Sequence, residues 1–101
     1  MKVIARPVGT GKTRELIETA AKENGIVLTV NRAALRTKAI AYGYPDVEII
    51  EMGDMIYGNF SPNKKVFVHK MDDFVQDFLW HEYGLELSGY SVALEDSNNA
   101  K

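Results

Sequence analysis

Apolar residues fall into two kinds of pattern along this chain. Short, nearly continuous runs stand at residues 26–30 (Ile26, Val27, Leu28, Val30), 47–51 (Val47, Ile49, Ile50) and 66–68 (Val66, Phe67, Val68). Runs of this kind suit strands buried on both faces of a parallel sheet. Between them, apolar positions recur at helical spacing. Thr13, Leu16, Ile17, Ala20 and Ala21 share one face of a predicted helix over 12–23, with Glu15, Glu18 and Lys22 on the other side. A second helix is predicted over 32–42, with Asn31 placed to cap it and Gly43 to end it. Met71, Phe74, Val75, Phe78 and Leu79 form the stripe of a third, over 73–83, closed by Gly84. Residues 2–5 and 89–94 read as a first and a last strand, and residues 52–58 as a short helical turn.

The resulting order, β-α-β-α-β-β-α-β, predicts an α/β domain with a mainly parallel sheet of about five strands and helices on both faces. Residues 1–94 make one domain, and 95–101 are a polar tail. At 101 residues, 46% hydrophobic and 26% charged, the chain can build a real core, so a disordered segment is excluded. With no cysteine, neither a disulfide scaffold nor a thiolate metal site is open to it. No apolar run is long enough to span a membrane. Met1, Lys2, Val3 and Ile4 lead straight into a strand pattern rather than a secretory signal, so a cytoplasmic location is expected. A net charge of −2 gives no global field for nucleic acid.

The chemistry concentrates at residues 6–13, Arg-Pro-Val-Gly-Thr-Gly-Lys-Thr. The pattern G-x-x-x-x-G-K-[ST] holds a phosphate in a glycine-rich loop ahead of a helix. Arg6 stands at the first glycine, and every other demanding position is met. Gly9 and Gly11 allow a tight turn that points several N–H groups into one concave nest. The N–H groups of Val8, Gly9, Thr10, Gly11, Lys12 and Thr13 would line it. Lys12 can reach the β- and γ-phosphates, and the Thr13 hydroxyl suits Mg²⁺.

The stretch Pro7-Val8-Gly9-Thr10-Gly11-Lys12-Thr13 resembles the Walker A loop of AAA-type ATPases and of superfamily 1 and 2 helicases, which usually read Gly-Pro-Pro-Gly-Thr-Gly-Lys-Thr. The resemblance implies a three-layer α/β/α P-loop NTPase-like domain, similar in outline to a minimal first RecA-like lobe. It implies ATP and Mg²⁺ as cofactors, with ATP and ADP as ligands. No Asn-Lys-x-Asp motif is present, which places ATP before GTP. Compact P-loop proteins are common in phage genomes, and by that analogy a phage origin is suspected.

Hydrolysis would need an acid at the end of a second strand, to hold the metal and position water. After Val66-Phe67-Val68 the chain has His69-Lys70, where a helicase-like sequence has two acids. Asp72 and Asp73 follow three and four positions after His69. Either they reach the site, with Lys12, Asp72 and Asp73 as the catalytic set and Thr13 and Asp72 on the metal, or the acid pair is replaced and hydrolysis is weak or absent. Asp73 also fits a helix cap, with Gln76 three residues on. Asp54 is a further metal candidate if the strand before it neighbours the P-loop strand.

Two functions stay open: a slow Mg²⁺-dependent ATPase acting in DNA metabolism, and a non-hydrolysing nucleotide- or nucleic-acid-binding module. A small kinase is a third, without a visible lid. Mechanical work would need a protein partner or a homo-oligomer to supply an arginine finger. Arg32, Arg36 and Lys38 form either a basic face for nucleic acid or a solvated helix face. Trp80 and Tyr83 could form a partner patch.

Overall fold

The computed structural model describes Ile4 and residues 11–91. Apart from Ile4, the expected first strand at 2–5 lies outside the described residues, as do Arg6, Val8, Gly9, Thr10 and residues 92–101. The elements run α1 (Lys12–Lys22), β1 (Ile26–Leu28), α2 (Arg32–Ala41), β2 (Glu48–Ile50), α3 (Met52–Ile56), β3 (Val66–Val68) and α4 (Met71–Tyr83). This is a mixed α/β structure with helices on both faces of a sheet. Among the described residues that sheet has three strands rather than about five, all parallel, in the order β2-β1-β3.

The helix ends follow from local chemistry. Gly11 precedes α1 at φ 82°, a left-handed conformation that glycine adopts without a Cβ penalty. α1 stops in a Schellman motif: Gly25 N–H donates to Ala20 C=O and Asn24 N–H to Ala21 C=O, with Asn24 at φ 51°. The Asn31 side chain caps α2 by accepting from Ala34 N–H, as the sequence predicts. α4 begins at Met71, two residues before the predicted start, because Lys70 turns the chain at φ 56°. Asp73 therefore lies in the first turn of α4 and is not its cap.

Strand alternation divides the core between two faces. Val27 pairs in register with Ile49 on one side and Phe67 on the other, and all three point toward α1 and α2. There they meet Ile17, Ala20, Leu35 and Ala39, all fully or almost fully buried. Burying a side chain such as Ile17 or Leu35 contributes about 1.5–3 kcal/mol. The opposite face carries Ile26, Leu28 and Ile50, covered by Met55 of α3 and by Phe74 of α4.

The chain steps from β1 to β2 across the α1/α2 face. It then returns past β1 to β3 across the other face. Direction and face both reverse, so the two crossovers share one hand, as parallel connections demand.

The predicted fifth strand is not formed where it is described. Residues 84–91 have no regular structure and run back along α4. Gln76 holds them there, accepting from Leu87 N–H at 2.7 Å and donating to Leu85 C=O at 3.4 Å.

Candidate functional site

After β1 the chain turns toward α2 on one face, and after β3 toward α4 on the other. Adjacent parallel strands that diverge in this way open a crevice at their carboxyl ends, the usual ligand position in open α/β sheets. Thr29 leaves β1 at this point and His69 leaves β3. The N-terminal turn of α1, with Gly11, Lys12 and Thr13, stands at the same place.

His69 ties these three elements together. Its Nδ1 lies 3.1 Å from the Thr29 hydroxyl, and its Nε2 lies 3.4 Å from the Thr13 hydroxyl. Its backbone N–H donates to Leu28 C=O at 2.8 Å, which extends the β1–β3 ladder to the edge of the crevice. Thr29 is buried, and its hydroxyl also accepts a long bond of 3.5 Å from Asn31 N–H. A neutral imidazole offers one donor and one acceptor, and each hydroxyl can answer either. Burial, with the nearby cations Lys70 and Lys38, pushes the His69 pKa below its ordinary value, while Asp73 pulls weakly the other way. The ring is therefore neutral near pH 7.

Lys12 and Thr13 are half-buried at the start of α1, and Gly11 N-caps the helix without a side chain. First-turn N–H groups have no partner within a helix, and the helix dipole adds a partial positive charge there.

The predicted acids stand outside the Thr13–His69–Thr29 contacts, although the charge of Asp73 is felt at the His69 ring. Asp72 is exposed, and its charge is the main reason the Tyr90 pKa is raised. Asp73 is exposed and helps line a shallow recess of about 280 Å³ with Val30, Gln76, Asp77 and Trp80. Asp54 accepts from Glu51 N–H in a capping box at the start of α3 and pairs with Arg32. It follows β2, and β1 separates β2 from β3.

The basic residues of α2 are largely engaged, with Arg32 on Asp54 and Arg36 on Pro45 C=O. His81 pairs with Asp77 one turn away. Among the described residues, no group of three or more His, Cys, Asp or Glu could hold a metal ion.

Sequence reasoning did not single out Thr29. The available signal was a hydroxyl directly after the apolar run Ile26-Val27-Leu28, where a buried strand meets its functional end.

Comparison with known proteins finds no family model, no curated protein and no solved structure that matches this chain. Among the described residues, no helix is long and apolar enough to cross a membrane.

Proposed function

We propose that this chain binds the polyphosphate of a nucleotide, ATP before GTP, at the N-terminus of α1, and turns it over slowly or not at all. One observation carries the second half of this reading. The Thr13 hydroxyl faces the neutral imidazole of His69 rather than a carboxylate. Lys12 and the N–H groups of Gly11, Lys12 and Thr13, with those of Val8, Gly9 and Thr10 before them, would hold the phosphates.

The topology supports a P-loop arrangement of these parts. Among the described residues β3 has one strand neighbour, β1, and α1 packs over both strands. A strand at residues 2–5 on the outer edge of β3 would connect through α1 to β1. That crossover would run in the direction and over the face that α2 uses, and so keep the same hand.

The residues that meet at Thr13 do not fit the Mg²⁺ that the Walker A resemblance implies. Mg²⁺ takes oxygen ligands in a strict octahedron and is usually held by one or two carboxylates. Here the Thr13 hydroxyl meets a ring nitrogen, both ring nitrogens are engaged, and Asp72 is exposed in the first turn of α4. This favours a binding module over an ATPase built on Asp72 and Asp73. The ties of Arg32 and Arg36 and the net charge of −2 favour a nucleotide over a nucleic-acid backbone.

Calorimetry with ATP and with ADP, on the native chain and on Lys12→Ala, tests the reading. The substitution should weaken binding roughly 10- to 100-fold, the worth of a charge-assisted contact. Failure of the folded native chain to bind either nucleotide at millimolar concentration would refute it.

A further inference from the structure

We propose that the polyphosphate site is metal-independent: His69 occupies the position of a metal-holding acid, the chain's own cations neutralise the phosphates, and the ligand is free nucleotide rather than its Mg²⁺ complex. The inference rests on the phosphate-site reading above and sharpens it.

His69 joins the Thr13 and Thr29 hydroxyls, so the group facing Thr13 presents nitrogen, and burial with the nearby lysines favours its uncharged form. A carboxylate at this place would attract a divalent cation. A neutral imidazole with both nitrogens occupied gives it neither charge nor a free lone pair.

The surrounding charge points the same way. Lys70 and Lys38 are close enough to act on the His69 ring, and Lys12 stands at the start of α1 beside Thr13. Among the described residues, Asp73 opposes them at that ring, with the smallest effect of the four causes. Such a set attracts a tetraanion and repels a dication. Free ATP carries two more negative charges than its Mg²⁺ complex and gains more from each lysine. The helix dipole of α1 adds to the preference.

The test is titration calorimetry with ATP, in EDTA and in excess MgCl₂, on the native chain and on two variants. The native chain should bind ATP in EDTA about tenfold or more tightly than in MgCl₂, a difference of one to two charges at partly screened distances. His69→Asp should reverse the order, with tighter binding in MgCl₂. His69→Asn keeps a neutral polar group and should lower affinity for both forms alike, which separates charge from simple loss of packing.

Equal or tighter binding by the native chain in MgCl₂ would overturn the inference and leave the phosphate site standing. A His69→Asp variant that stays folded, as judged by circular dichroism, and still prefers ATP in EDTA would remove His69 from the explanation. A native chain that binds in neither condition would overturn the phosphate-site reading as well.

Discussion

Glu48 opens β2 as the one charged residue in a strand otherwise made of Ile49 and Ile50. Its carboxylate accepts from Ser61 N–H at 2.8 Å and pairs with Lys64 at 3.2 Å, fixing the loop between α3 and β3. The Ser61 N–H is the chief reason its pKa lies below the ordinary value of 4.5, with Lys64 adding to the effect and burial opposing it. A carboxylate whose pKa is depressed on folding stabilises the fold above its unfolded pKa. The contribution fades as pH falls through the folded value. Glu48→Gln should therefore cost about 1 kcal/mol at pH 7, a figure reduced for partial exposure. Urea denaturation should show that difference shrinking below pH 4.5, the ordinary value from which the group is lowered. A gap of constant size from pH 7 to pH 3 would mean that packing, not charge, sets the role of Glu48. Lys64 and its neighbour Lys65 are both ion-paired, Lys64 to Glu48 and Lys65 to Glu23.

At the level of elements, Gly25 shows how one residue can meet two demands. Its N–H completes the Schellman motif of α1, yet Asn24 takes the left-handed conformation. Glycine is required at 25 for another reason: a Cβ there would stand 2.9 Å from Lys65 C=O and 2.8 Å from the Phe67 ring. The Phe67 ring can shift, but the β3 backbone cannot move without disturbing its ladder with β1. Gly25→Ala should destabilise by about 1–3 kcal/mol, the cost of overpacking. Gly53 inside α3 meets nothing within 4 Å, and Gly53→Ala should stabilise by about 0.4–1 kcal/mol. Thermal melts of the two variants should move in opposite directions; a shared direction would contradict this account.

The same distinction marks what the sequence makes legible. The start of α1 at Lys12, the Asn31 cap, and the ends of α2 and α4 at Gly43 and Gly84 are local chemistry, and the chain declares them. The start of α4 is not declared, because nothing local marks Lys70 as left-handed and Asp73 with Gln76 imitates a capping box. Gln76 instead holds Leu85 and Leu87, and residues 89–91 of the strand expected over 89–94 stay irregular. Thr13 and His69 are each visible as parts of a motif. Their meeting depends on strand order, which no short-range pattern encodes.

On the scale of the whole molecule, the two sides of the sheet are unequal. The α1/α2 side holds Ile17, Ala20, Leu35 and Ala39 against Val27 and Ile49, all buried. Neither α3 nor α4 contributes a fully buried residue. Regions with few buried apolar contacts open at lower free energy than the core. Native-state hydrogen exchange should find the amides of α1 and β1 slowest and those of α3 and α4 distinctly faster, and equal protection across the four helices would count against this asymmetry.

The sheet order also favours one sequence of assembly. β1 and β2 are joined through α2 and their shared core with α1. β3 must close a much longer loop to reach the far side of β1: Thr29 and His69 are 40 residues apart, and Thr13 and His69 are 56 apart. Closing entropy grows with loop length, so the β1-α2-β2 unit is the favoured early structure and β3 the late arrival. The Thr13–His69–Thr29 junction then forms only when the final strand docks. A refolding chain would hold most of its core before the proposed phosphate site could be complete.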